Sequence, residues 1–325
     1  MRRYPDALFR DLAAACLIVI PIMANAESYP SKPVHVVVAF SAGGTTDILA
    51  RSVGQQLSER FKQPFIIDNK PGAGGNIGTE FVVRSPPDGY TLIVDSVGPI
   101  AVNPTLYKGL NYDPLTDLVL IVQIAKVPNV LVVHPSLGVK NFDVFVAYAK
   151  ANPGKLYYGS TGIGTSSHLS GFMLSNRAGI DITHVPYKGA DALNDLLSGR
   201  VQFMFATIPS VIQHIETGKL VALAVTSAKR SRSLPNVPTV IENGFPGFEA
   251  GSWFGFFAPK GTPQAIAAQL NGAVNDILGM PPIQNQMIRE GADPAGGSAA
   301  EFAQFVRREY DKWKVIMRES GARPE

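Results

Sequence analysis

Short β-branched runs alternate along the chain with stretches of helical period. Residues 34–40, 65–68, 92–95, 130–133, 203–205 and 221–226 read as strands. The alternation predicts an α/β protein with mainly parallel sheets. Between the first two runs Leu49, Val53, Leu57 and Phe61 recur every fourth position, one apolar stripe along a helix for which Asp47 is the expected N-cap. A second strand-loop-helix unit follows the same plan, with a strand over 156–159, small residues over 160–167 and a helix over 168–178. Toward the C terminus, 263–278, 281–290 and 299–319 carry helical period, two of them opened by a proline, and predict a helical tail packed on a sheet. Before that tail, the aromatic density of 252–258 suits a buried strand, bounded by the turn at 259–263. The chain carries no internal repeat.

The N terminus has a different pattern. Arg2, Arg3 and Arg10 precede an apolar run over 12–23 and then Ala24-Asn25-Ala26, the small-residue site after which signal peptidase cuts. Residues 1–26 are therefore expected to be a signal peptide, the mature chain to begin at Glu27, and the protein to reach the periplasm. The apolar run, broken by Pro21, is too short to cross a bilayer, and no later stretch reaches about 18 uncharged apolar residues. Cys16 does not suit a lipoprotein anchor, because Ala13 stands where Leu usually precedes such a cysteine and the apolar core follows it.

Composition narrows the function classes. Cys16 is the only cysteine, so the mature chain is expected to have no disulfide, thiolate metal site or cysteine nucleophile. With 46% hydrophobic residues, folding rests on core burial. The net charge is +3; the segment before Glu27 contributes three arginines and two aspartates, which leaves +2. That balance gives no nucleic-acid footprint, and the densest basic group, Lys229-Arg230-Ser231-Arg232, reads as a solvated loop. A mildly positive field favours anionic solutes.

Three glycine-rich loops are candidates for chemistry. The first runs from Ser41 through Gly43, Gly44, Thr45 and Thr46 to Asp47, where a strand hands over to a helix. Glycines let the backbone approach a ligand, and the unpaired N–H groups and dipole of a helix start attract anions. The second, Pro71-Gly72-Ala73-Gly74-Gly75-Asn76-Ile77-Gly78, lacks both the dinucleotide and the P-loop spacing and reads as a cleft wall or a turn. The third runs from Gly159 through Gly162, Ile163, Gly164, Thr165, Ser166 and Ser167 to His168 and matches the first in kind. Two such loops facing each other would form a clamp, with Thr46 and Thr165 as the expected hydroxyl donors to a carboxylate.

A serine hydrolase is the enzymatic alternative, with Ser166 or Ser167 as nucleophile, His168 or His184 as base and Asp181 or Asp191 as orienter. Against it, no G-x-S-x-G elbow occurs, and His168 suits a pocket lining or a turn cap better. His35, His134, His184 and His214 stand apart without metal-ligand spacing, so neither a metal nor a cofactor is expected.

The loops also sit within an ordered series of motifs. These include Ala42-Gly43-Gly44 with Asp47 and Arg51, Asn69-Lys70-Pro71-Gly72-Ala73-Gly74-Gly75, Pro86-Pro87-Asp88-Gly89-Tyr90-Thr91-Leu92 and Asn103-Pro104-Thr105-Leu106-Tyr107. Further on come Gly162-Ile163-Gly164 with His168-Leu169, Val185-Pro186-Tyr187-Lys188-Gly189, Leu223-Ala224-Val225-Thr226-Ser227 and Ala258-Pro259-Lys260-Gly261-Thr262-Pro263. Over essentially the whole mature chain, this series resembles the substrate-binding receptors of tripartite tricarboxylate transporters, also called Bug-type receptors.

The resemblance implies a two-lobed, type II-like periplasmic binding fold. One lobe would comprise 27–125 and 254–325 and the other 126–253, with crossings near 124–130 and 253–257. It implies a non-enzymatic, monomeric receptor for a small di-, tri- or aromatic carboxylate, partnered by membrane permease subunits. The same fold could instead serve as a sensor presenting its ligand to a signalling protein. Backbone N–H groups, hydroxyls and water from the first and third loops would hold the ligand, and Ala73, Gly74, Ser96, Tyr187 and Ala206 complete the expected contacts. Many members carry an acidic residue where Ala206 stands, which argues against an amino-acid ligand here; Ala39 likewise replaces a frequent proline.

Overall fold

The computed structural model describes residues 1, 29–189 and 191–320; the expected signal peptide and its cleavage site lie outside them. The chain opens with β1 (Val34–Val38), α1 (Thr45–Phe61) and β2 (Phe65–Asn69), then, after a 3₁₀ turn, α2 (Asn76–Val83) and β3 (Thr91–Ser96). A turn of π-helix at Gly98–Val102 leads into α3 (Asn103–Leu106) and the long β4 (Leu118–Val133). The second unit comprises α4 (Phe142–Ala151), β5 (Leu156–Ser160), α5 (Ser166–Ala178), β6 (Ile182–Pro186), α6 (Asp191–Leu197), β7 (Phe203–Thr207), α7 (Ile208–Glu216) and β8 (Val221–Val225). The chain returns through β9 (Gly251–Pro259) and ends in α8 (Gln264–Gly279), α9 (Pro281–Arg289), the short β10 (Asp293–Pro294) and α10 (Ala299–Ser320).

The alternation expected from the sequence gives two parallel triplets joined by antiparallel strands. The order is β2-β1-β3-β9-β4-β7-β5-β6, with β8 and β10 also pairing β4. β1 runs parallel to β2 and β3, and β5 runs parallel to β6 and β7. Every pairing of β9 and β4 is antiparallel. Each triplet is covered by helices, as parallel strands buried on both faces require. In β1 only His35 is exposed, and the α1 stripe Leu49, Val53 and Leu57 is buried.

β4 joins the triplets. Its first part, Leu118 to Pro128, pairs with β9; its last part, Asn129 to Val133, lies between β7 and β8. Pro128, which has no N–H to donate, pairs with Gly251 where β4 changes partners. Immediately beyond, the fully buried Asn129 donates to Ser170 Oγ (2.9 Å) and the Ala250 carbonyl (3.1 Å), while its own N–H donates to Thr226 Oγ1 (3.0 Å). The changeover is therefore tied to α5, to the residue after β8 and to the residue before β9, with its polar groups satisfied.

The C-terminal helices pack on the sheet as expected. Phe302 and Phe305 of α10 meet the Trp253 ring edge-on, with centroids 5.9 and 5.4 Å away. The indole N–H groups of Trp253 and Trp313 both donate to Glu309, at 3.2 and 3.0 Å.

Candidate functional site

The first loop is braced from behind by charge. Gly44, in an extended conformation, is the N-cap of α1. Asp47, expected to hold that place, lies instead within the first turn. Its carboxylate reaches back to accept the Gly43 N–H (3.0 Å), the Asn69 amide (3.0 Å) and both Arg51 Nε and Nη2 (2.9 Å each). Burial pushes the Asp47 carboxyl up, but the hydrogen bonds from Arg51, Gly43 and Asn69 outweigh it and hold the group below the usual carboxylate range. With the Gly43 amide taken by the Asp47 carboxylate, the N–H groups of Thr45, Thr46 and Asp47 are the ones at this helix start without an intrahelical acceptor.

The third loop is braced by neutral groups. Thr165 caps α5, accepting the His168 N–H at 3.4 Å and donating its own hydroxyl to the Gly162 carbonyl at 2.7 Å. Its single proton is thus committed within the loop in this structure. The Ser166 hydroxyl lies 3.4 Å from Asn129 Oδ1.

The first and third loops converge on a small cleft. The first loop contributes Ser41, Gly44, Thr45 and Thr46, and the third contributes Thr161, Thr165 and Ser166. Ser96 ends β3 and Val97 follows it, Thr207 ends β7, and Ser252 and Phe254 come from β9. Phe40 and Gly189 also line it, and among the described residues the lining contains no Lys, Arg, Asp or Glu. Two hydrogen bonds cross between the walls: Thr45 Oγ1 lies 2.7 Å from Thr207 Oγ1, and the Ser41 hydroxyl donates to the Lys188 carbonyl at 2.9 Å. The starts of α1, α5 and α7 all reach this cleft, so three helix dipoles place partial positive charge around it without a cationic side chain.

Other expected contacts hold the loops together without lining the cleft. Gly74 packs on the third loop; a Cβ there would lie 2.6 Å from the Ile163 carbonyl oxygen. Gly164, at φ +82°, fits against α3, where a Cβ would lie 2.2 Å from Asn103 Oδ1. Gly43 spends its amide on Asp47, Gly162 accepts from Thr165, and Ala73 faces a separate surface depression with Asn76 and Ile77.

Two expected side chains point elsewhere. Ala206 is buried between Val130 and Ile208 in the core under α7. Neighbouring side chains on a strand take opposite faces, so the cleft receives Thr207 instead. The Tyr187 hydroxyl donates to Asp195 at 2.7 Å, which leaves Gly189 as the cleft residue of that segment.

No catalytic pairing forms around Ser166 and His168. His168 Nδ1 accepts the Gly164 N–H at 3.2 Å, and Ser167 Oγ is buried with no hydrogen-bond partner among the described residues. The serine–imidazole contact near the site is instead Ser160 with His184 Nε2, at 2.6 Å, and Ser160 is fully buried. Among the described residues no group of three or more His, Asp or Glu is placed to hold a metal ion. No described helix is long and apolar enough to cross a membrane.

Sequence reasoning missed Phe40, Val97, Thr161, Gly189, Thr207, Ser252 and Phe254 as lining residues. Thr161 and Gly189 fall inside loops already singled out. Ser252 and Phe254 arrive from the distant β9, where Phe254 pairs with Ser96 in the sheet.

The family model for the tripartite tricarboxylate transporter family receptor matches residues 49–322. Protein BugT of Bordetella pertussis is 37% identical over 301 residues, covering 92% of each chain. Two solved structures superpose over nearly their whole length. R. palustris Rpa4515, solved with adipate, has a TM-score of 0.89 at 40% identity, over 91% of this chain and 100% of its own. The periplasmic binding protein BugD has a TM-score of 0.88 at 36% identity, over 91% of this chain and 100% of its own.

Proposed function

This chain belongs to the tripartite tricarboxylate transporter receptor family, and on that premise we propose that it captures a small dicarboxylate between two lobes and passes it to a membrane permease of the tripartite type. The observation that carries the reading is the cleft itself. Three helix starts and a ring of hydroxyls converge there with no charged side chain, which suits an anion bound by backbone N–H groups and disfavours a cation or an amino acid's ammonium. Adipate in the R. palustris relative supports a flexible dicarboxylate as the ligand class.

The lobes are 27–125 with 254–325, and 126–253, pivoting near 124–130 and 253–257. The partner change of β4 at Pro128 and the return of β9 support this division. The protein acts as a periplasmic receptor without turnover, a reading supported by the lack, among the described residues, of any imidazole bonded to Ser166 or Ser167.

Calorimetric titration against a panel of mono-, di- and tricarboxylates tests the ligand class, with adipate and its diamide as the first pair. Adipate is expected to bind and the diamide to bind at least about tenfold more weakly, because hydrogen bonds to a charged group exceed neutral ones by about 1 kcal/mol or more each. Equal affinity would overturn the anion site. Small-angle scattering should show a smaller radius of gyration with ligand, and N-terminal sequencing of periplasmic protein should begin at Glu27.

A further inference from the structure

Behind the third loop, on the side away from the cleft, two imidazoles stack with ring centroids 4.3 Å apart and planes 23° from parallel. They are His168 of α5 and His184 of β6, and the Tyr158 ring continues the stack beyond His184 at 4.8 Å. Neither histidine lines the cleft. Each holds one end of the loop. His168 Nδ1 accepts the Gly164 N–H at 3.2 Å. His184 Nε2 lies 2.6 Å from Ser160 Oγ, and that oxygen accepts the Gly162 N–H and donates to the Gly162 carbonyl, both at 3.2 Å. The Tyr158 hydroxyl donates to the His168 carbonyl at 3.2 Å, which fixes the first turn of α5 against β5.

We propose that His168 and His184 are positioning residues: stacked neutral imidazoles that set the third loop so the first-turn amides of α5 face the bound carboxylate. The inference rests on the function proposed above. A ring that accepts an N–H at Nδ1 carries no proton there, so His168 is the Nε2–H tautomer. With the Gly164 amide turned back onto His168 and the Gly162 group onto Ser160, the loop has few conformations left. The N–H groups of Ser166 and Ser167 then project toward the cleft that Ser166 lines.

The surroundings keep both rings uncharged. Burial holds His168 down to about 4; burial, and then the neighbouring His168, hold His184 down to about 3. β5 brings Tyr158 to the stack, β6 brings His184, and the loop brings hydroxyls and amides. No carboxylate, ammonium or guanidinium bonds to either ring among the described residues. Protonating His168 at Nδ1 would aim a donor at the Gly164 donor and release that end of the loop.

The test uses the whole mature protein and adipate. His168→Asn keeps an acceptor, Oδ1, the same number of bonds from Cβ as imidazole Nδ1, and does not titrate; His168→Phe keeps the ring and loses the acceptor. Leaving a buried N–H unpaired costs about 1 to 3 kcal/mol, so His168→Phe should weaken adipate binding at pH 7 about 5- to 150-fold. His168→Asn should stay within about threefold of wild type. The ratio of wild-type to His168→Asn affinity should also fall between pH 7 and pH 4.5, a comparison in which adipate's own titration cancels. Circular dichroism reports whether each variant is folded.

Independently of any variant or ligand, nitrogen NMR of the wild-type rings should show His168 unprotonated at Nδ1. A proton on that nitrogen would overturn the proposal, as would wild-type affinity in His168→Phe or a His168→Asn no better than His168→Phe. Wild-type protein that binds no carboxylate of the panel would overturn the receptor reading instead, and the NMR result would still decide the positioning role.

Discussion

Asp47, at the back of the first loop, keeps its charge because Arg51, Asn69 and the Gly43 amide all turn toward it, whereas His168 and His184, behind the third, are held neutral by burial. The two loops nonetheless present the same kind of surface to the cleft, a helix start with hydroxyls. The lesson is that the bracing can be ionic or neutral so long as it faces away from the ligand. A cation in the cleft would compete with water for the bound anion and tie recognition to salt and pH, while amides held by groups behind them keep a fixed direction. The same contrast extends into the sheets. Asp95, fully buried beside the cleft residue Ser96, accepts the Thr79 hydroxyl at 2.6 Å and the Ser96 N–H at 2.8 Å and has no cation bonded to it among the described residues. Burial raises its carboxyl to about 7.

These environments give pH limbs of opposite sign, and the largest expected effect lies there. Asp95 binds its proton more tightly in the folded state, so its contribution is complete below the ordinary carboxylate range and is lost as pH rises through about 7. The histidines are depressed, so theirs is present above about 6.5 and lost as pH falls toward 4. Asp95→Asn should therefore raise unfolding free energy at pH 8 by about 2 to 4 kcal/mol and leave it nearly unchanged at pH 4. Urea titration at the two pH values checks this; equal effects at both would mean that Asp95 is ionised in the fold.

Asp47→Ala tests the ionic brace. It leaves the Gly43 N–H and the Asn69 amide without their acceptor, while the half-exposed Arg51 returns to water. The expected loss is about 2 to 3 kcal/mol at pH 7, and the part due to Arg51 should shrink in 1 M salt, where exposed charges are screened within about 3 Å. Salt-independent loss would place the effect in the hydrogen bonds alone. Gly164→Ala tests the contact between the third loop and α3. Its Cβ meets Asn103, and overpacking of that kind costs about 1 to 3 kcal/mol, so adipate affinity should fall about 5- to 150-fold. Thr45→Val removes the hydroxyl pair with Thr207 and should cost adipate affinity about 2- to 10-fold, read by calorimetry.

Much of this was legible in the sequence. Period and strand runs revealed both strand-loop-helix units and the helical tail because each is a local pattern of one face against another. The first part of β4 was not, since Gln123, Lys126 and Pro128 interrupt its apolar run and its register with β9 shifts between Leu120 and Val122 and between Gln123 and Ala125. Asp47 looked like an N-cap because an acid near a helix start commonly is one; its distance from Gly43 appears only once the loop is folded. Ser252 and Phe254 could not be assigned to the site because nothing local says which distant strand will lie beside Ser96. Ala206 was expected from the resemblance, and strand phase, which one residue of error reverses, puts Thr207 on the cleft side.

β4 has a mechanical consequence as well. A receptor whose halves were tied by flexible loops could open at almost no elastic cost and would drift among many shapes. Here the tie is a hydrogen-bonded ribbon, and relative rotation of the two sheets must be absorbed as twist along it. Pro128 contributes no N–H and so donates no ladder bond, while Asn129, anchored on Ser170, Thr226 and Ala250, grips the ribbon one residue later. In the closure proposed above, the chain would act as a torsion spring with a soft point beside a clamp, which would confine the motion to one axis.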